Sequence, residues 1–230
     1  MRPISELINS EESSWELVQQ WINEATRPIE VLPVISKEQA ELALYNTQVT
    51  THSPMGAIIY ETGGILVNNG WIRILGSGST KLKRSLPEWN KNKSTHELVD
   101  QAGFLLVADD VLGGYFCING GILGKDVGNI YYFAPDTLDF EPLDVNYSQL
   151  INFFFSGNIE QFYEGFHWKN EEQDLREISA DEVFNFAPPL WTAEGKNLDE
   201  STIRLIPADE QFLLNLELRQ GLNNIENNYI

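Results

Sequence analysis

Over the first fifty residues the apolar positions recur at helical spacing. Trp15, Val18, Ile22 and Ala25 fall on one face. Ser13 with Glu16 three residues on reads as a capping box, so a helix is predicted there that Pro28 ends. "IEVLPV" (29–34) reads as a short strand, which Pro33 confines to an edge or a strand end. Ser36 with Gln39 then opens a second helix, through Tyr45, with Ala40, Ala43 and Leu44 available for packing. From Gly56 the period shortens to strands: "GAIIYE", then "ILV" and "WIRIL" around Asn68-Asn69-Gly70. Asn69-Gly70 is a hairpin signal, because a type I′ turn needs positive φ at both central positions. After a polar interval (76–103) the strands resume with "FLLVAD", "GYFCIN", "NIYYFAP" and "TLDFEPL", turn signals recurring at the spacing of successive antiparallel hairpins.

The helical period returns with "YSQLINFFF" (147–155). Beyond a break at Ser156-Gly157-Asn158, Ile159, Phe162, Tyr163 and Phe166 form one apolar face, read as a helix packed on its own sheet. A last helix is predicted near Asp209–Arg219, wrapping the domain or mediating self-association. At 230 residues the chain is long enough for one domain with a substantial core. We divide it into an α+β domain (1–170) and a C-terminal extension (171–230) packed on that domain.

Within the strand region, "VADDVLGGYFCINGG" (107–121) sets two adjacent carboxylates beside two glycine pairs. Paired acids can divide general acid and base work. Neighbours on a strand, however, point to opposite faces, so Asp109 and Asp110 do not converge easily on one substrate. At a strand end they serve better as acceptors for the backbone N–H groups of the Gly113-Gly114 turn. A hydrolase using both acids is a further reading of the protein, and it needs them exposed in one cleft.

Other chemistry has less support. "GSGSTK" (76–81) lacks the spacing of a phosphate-binding loop. His52, His96 and His167 lie far apart and form no local metal cassette. The single cysteine, Cys117, stands in an apolar strand and reads as a buried, inert thiol. No metal and no cofactor is expected.

Charge narrows the partners. Fifteen Lys and Arg against 34 Asp and Glu give a formal net charge of −19, which repels nucleic acid and anionic membrane surfaces. Residues 1–125 carry 10 basic and 14 acidic side chains, residues 126–230 carry 5 and 20, so the acidity belongs to the second half. One patch runs against this: Lys81, Lys83, Arg84, Lys91 and Lys93, interleaved with Leu82, Leu86 and Trp89, read as a solvated loop or an internal counterweight to the acidic half. With no secretory leader pattern and no long apolar segment, a cytoplasmic, soluble protein is expected.

The stretch "LLVADDVLGGYFCIN", followed by "GNIYYFAPDTLDFEPL" and "YSQLINFFFSG", resembles the SUKH superfamily pattern, an apolar strand ending in an acid that leads through glycines into an aromatic strand. The whole chain, including "HSPMGAIIYETGGILVNNGWIRILGSG" and "FYEGFHW", is similar to a bacterial domain-of-unknown-function family (2625) related to it. The resemblance implies an α+β fold with a curved, mostly antiparallel sheet flanked by helices, SUKH-like, here carrying a C-terminal extension. It implies no catalytic residues: Trp15, Asp109, Gly113, Gly114, Tyr115 and Phe116 match fold-bearing positions. Many SUKH proteins are immunity proteins that neutralise toxins.

Resemblance and charge together lead to the expectation of a non-enzymatic acidic protein-binding domain. Its partner would be a basic protein such as a nuclease-type toxin, met by Asp136, Asp139, Glu141 and Asp144. A different class stays open, a homo-oligomeric ligand-binding or regulatory domain with Tyr115, Phe116, Tyr131, Tyr132 and Phe133 lining an apolar pocket.

Overall fold

The computed structural model describes residues 1–9, 11–93 and 103–228, with side chains as far as residue 222. Helices α1 (Ile4–Leu7) and α2 (Trp15–Asn23), strand β1 (Ile29–Leu32), and helices α3 (Lys37–Thr47) and α4 (Pro54–Glu61) come first. Strands β2 (Gly64–Val67) and β3 (Ile72–Leu75), helix α5 (Leu86–Asn90) and strands β4 (Phe104–Asp110), β5 (Tyr115–Asn119), β6 (Asn129–Phe133) and β7 (Phe140–Asn146) follow. These seven strands form one sheet in the order β1 to β7, every neighbouring pair antiparallel. Then come helices α6 (Tyr147–Ser156), α7 (Ile159–Phe162) and α8 (Glu171–Glu177), the hairpin of β8 (Glu182–Ala187) and β9 (Thr202–Pro207), and helix α9 (Ala208–Asn228). No helix among the described residues is long and apolar enough to cross a membrane.

Local signals account for much of this. The Ser36 hydroxyl accepts from Gln39 N–H and starts α3, and Asn146 with Gln149 forms a complete capping box on α6. Four expectations need correction. "GAIIYE" is helical: the Ser53 hydroxyl accepts from Gly56 N–H, Pro54 occupies the first turn, and the buried run reads the same as strand or helix by hydrophobicity alone. Helix α2 is capped at Ser14 without a side-chain bond, Ser13 Oγ accepting from Trp15 N–H instead, and it ends at Asn23, before Pro28. The β2–β3 connection spans residues 68–71, with Asn68, Asn69 and Gly70 all at positive φ, so it is longer than a two-residue turn. The aromatic stripe from Ile159 outlasts its helix, which stops at Phe162, and Gly165 turns the chain at φ 88°.

Register separates the two faces of the sheet, because directly opposed residues share a side. Arg73, Asp109, Tyr115, Phe133 and Phe140 line one face; Ile74, Ala108, Phe116, Tyr132 and Glu141 line the other. The second face meets α6 and the α7 region, Phe116 packing edge-on to Phe154 at 4.9 Å and Tyr132 to Phe162 at 5.3 Å between centroids. The first face is covered by the C-terminal elements. Phe212 of α9 packs edge-on to Tyr115 at 4.9 Å, and Phe184 N–H of β8 donates to Val111 C=O. Trp15 packs partly buried against the common core.

Candidate functional site

The β4 end and the turn after it place two buried carboxylates in the interior. Asp109 and Asp110 are both fully buried, and strand alternation sends them to opposite faces. Asp109 lies opposite Arg73, whose Nε donates to Oδ1 at 2.5 Å. Arg84 donates from Nη1 to Oδ2 of the same carboxylate, from Nη2 to Ala180 C=O, and from Nε to Asp181. The Asp181 carboxylate in turn accepts from Lys83 and Arg84 N–H. The Arg84 guanidinium lies 4.4 Å from the centroid of Trp89 and Lys93 Nζ 4.3 Å, while Lys93 pairs with Asp209 of α9.

The basic interval therefore does two things. Arg84 and Lys93 tie the chain before β4 to acids of the C-terminal segment, and Arg84 also offsets a buried carboxylate. Lys81 pairs with Glu30 on the surface. The neighbouring "GSGSTK" loop spends its amides internally: Ser77 and Gly78 N–H donate to Thr62 and Gly63 C=O, and Lys81 and Leu82 N–H to Ser79 Oγ.

Asp110 is satisfied without an ion pair. Its Oδ1 accepts from Leu112 and Gly114 N–H, both at 2.9 Å, and its Oδ2 from the hydroxyls of Tyr132 at 2.7 Å and Tyr163 at 3.1 Å. Burial pushes its carboxyl above the ordinary range, opposed by the Tyr132 and Gly114 hydrogen bonds and by the charge of Arg73. Burial first, then Asp110, pushes both tyrosine hydroxyls well above their usual value. The glycine pair serves this arrangement in two ways. Gly113 turns at φ 79°, and a Cβ on Gly114 would lie 2.0 Å from the Tyr132 hydroxyl as it reaches Asp110. On the first face Tyr115 donates to Ala208 C=O at 2.8 Å, fastening the start of α9.

Asp109 and Asp110 thus share no open space, and the hydrolase reading has no cleft at this point. The aromatic set Tyr115, Phe116, Tyr131, Tyr132 and Phe133 is buried, with tilted ring contacts between Tyr115 and Phe133 and between Phe116 and Tyr132, and the Tyr131 hydroxyl donating to Asp126. Burial pushes the Cys117 thiol far up, which keeps it protonated. His52 contacts Asn9, and His167 lies between Glu160 and Glu171 with its ring 5.3 Å from Trp71; His96 falls outside the described residues. Among the described residues no group of three or more His, Cys, Asp or Glu is placed to hold a metal ion.

The four surface acids follow the β6–β7 margin. Asp139, whose side chain is 62% exposed, is held by Arg219 of α9 at 2.7 Å, with the guanidinium 5.5 Å from the Phe140 centroid. Glu141 accepts from the Thr137 hydroxyl and shares the face of Tyr132. Asp144 is exposed at φ 53°, and Asp136 is half-buried in the lining of a cavity with Glu164 and Lys196. β7 is an edge of the sheet, and Pro142 together with the left-handed Asp144 disfavours pairing by another strand there.

The family model described as "Protein of unknown function DUF2625" matches residues 4–211, which includes most of the C-terminal segment. Among curated proteins, the uncharacterized protein YbfG of Escherichia coli K12 is 46% identical over 193 residues, covering 83% of this chain and 86% of its own. An uncharacterized protein of Haemophilus influenzae Rd is 45% identical over 192 residues, covering 83% of each chain. No solved structure matches.

Proposed function

Since the chain belongs to the DUF2625 family of proteins of unknown function, we propose from its charge distribution that it is a non-enzymatic acidic binding domain whose partner is a basic protein. One observation carries this reading. The interior cluster sets two buried acids beside two arginines, whose formal charges cancel, so the net charge of −19 rests on the rest of the chain. Asp136, Asp139, Glu141 and Asp144 line one margin of the sheet where that charge meets a potential partner. Such a field steers a cationic surface into encounter and fixes its orientation.

The resemblance of "LLVADDVLGGYFCIN" to the SUKH superfamily pattern supports the finer reading, neutralisation of a bacterial toxin, a basic nuclease fitting the charge best. The test is affinity capture from a lysate of the native host at low and high salt, followed by association kinetics of the retained basic protein. Neutralising the four acids together (Asp136→Asn, Asp139→Asn, Glu141→Gln, Asp144→Asn) should slow association roughly tenfold at low salt and flatten the salt dependence. An unchanged rate and salt slope would remove the margin as the contact surface.

A further inference from the structure

Two cavities share Leu190 as a wall, the first lined also by Pro189 and Trp191 and the second by Gly195 and Lys196. The first, about 210 Å³, is walled by Phe186, Trp191, Leu214 and Leu218 over the side-chain amides of Gln211 and Asn215. Those amides are 7% and 3% exposed and form a ladder, Asn185 donating to Gln211, Gln211 to Asn215, and Asn215 to Gly113 C=O. Each primary amide keeps a further donor or acceptor valence for a main-chain group. The second cavity, about 290 Å³, sets the carboxylates of Asp136 and Glu164 against Phe166 and Leu198, with Lys196 at its rim.

Asp136 is half-buried and joins no ion pair among the described residues. Burial raises its carboxyl above the ordinary range, opposed by a backbone hydrogen bond and then by the charge of Lys196. A desolvated carboxylate with apolar walls favours a cation that also carries hydrocarbon, as arginine and lysine do. Leu214 is 37% exposed where it faces the neighbouring chamber, so apolar surface stands open beside the acids.

We propose that this two-chambered groove receives an extended segment of the basic protein partner, with an Arg or Lys side chain in the Asp136–Glu164 chamber and a neighbouring apolar side chain against Trp191 and Leu214. The assignment rests on the proposed function and narrows it, from a charged margin to one groove. Charge complementarity identifies the occupant: the acids select a cation, and the amide ladder suits the main chain that carries it. Lys196 occupies the rim as an internal competitor.

Calorimetric titration at low ionic strength with the capped peptide acetyl-Leu-Arg-Leu-Arg-amide tests this, beside its glutamine counterpart. The arginine peptide should bind and the glutamine peptide should not. Asp136→Asn with Glu164→Gln should weaken binding about tenfold or more, Leu214→Ser should weaken it several-fold, and Lys196→Ala should strengthen it. Equal binding of the two peptides, no binding of either at millimolar concentration, or an unchanged affinity in the Asp136/Glu164 variant would overturn the groove. The margin variant Glu141→Gln with Asp144→Asn separates the two proposals. If it weakens the arginine peptide as much as the chamber variant does, the groove fails while the acidic binding reading stands. If peptides bind as expected but no basic protein is captured from the host, the cation-selective chamber stands, while its assignment to a protein partner fails with the proposed function.

Discussion

Asp109 and Asp110 are chain neighbours and equally buried, yet the two faces of the sheet neutralise them by different chemistry. On the face covered by the C-terminal segment, Asp109 meets two guanidinium groups, and one of them continues to Asp181. On the face covered by α6 and the α7 region, Asp110 meets two hydroxyls and two backbone amides and no ion pair. An ion pair compensates a buried charge only while both partners stay, so the Asp109 side is the more fragile to a single change. Four neutral donors spread the same task, and the loss of one leaves three.

The largest expected effect follows from that difference. Asp109→Ala strands Arg73 without its anion, leaves Arg84 only Asp181, and should cost about 3–5 kcal/mol, read as a lowered urea midpoint. Asp110→Asn keeps an acceptor for the Leu112 and Gly114 amides but disturbs the tyrosine bonds, and should cost about 1–3 kcal/mol. Should Asp110→Asn prove the costlier, the contrast between the faces is reversed.

A pH series sharpens the same contrast. Because Asp110 takes up its proton more readily folded than unfolded, its protonation contributes stability that is fully present below the unfolded value of about 3.9. That contribution is lost as pH rises through the raised native value. The penalty of Asp110→Asn should therefore be larger near pH 4 than near pH 7, as thermal melts of both proteins would show. A penalty that grows with pH would mean that hydrogen bonding outweighs burial at this carboxylate.

Asp181→Asn should cost about 1 kcal/mol, since its side chain is 22% exposed and the amide can still accept from Lys83 and Arg84 N–H. Faster limited proteolysis within residues 171–228 would locate that loss. Smallest of all, neutralising Asp136, Asp139, Glu141 and Asp144 should leave the unfolding free energy within about 0.5 kcal/mol. A larger loss would make the margin part of the scaffold.

Legibility in the sequence followed the range of the interaction. The opposite aims of Asp109 and Asp110 and the strand succession β4 to β7 were readable from alternation and glycine placement; the turn amides expected on both acids go to Asp110 alone, while Asp109 meets arginines. The helix at Pro54–Glu61 was not, because "GAIIYE" is buried throughout; its signal was the Ser53-Pro54 start outside the run. The hairpin β8–β9 was also missed, its strands sitting in an acidic, proline-bearing stretch without clear alternation. Arg84 was noted as one cation of a patch, and nothing local marked it as the partner of an acid 25 residues away.

What the sequence determined by itself is what neighbouring residues settle among themselves: side-chain caps at Ser36 and Asn146, the alternating faces of β4, positive φ at Gly113, and the charge of −19. These depend on steric and hydrogen-bonding choices a few residues apart, or on simple counting. Tertiary structure decided which acids lost their water and which cations replaced it. That outcome turned on antiparallel register, which sets Arg73 across from Asp109, and on the C-terminal segment closing over Arg84. A one-residue slip would have sent each side chain to the other face.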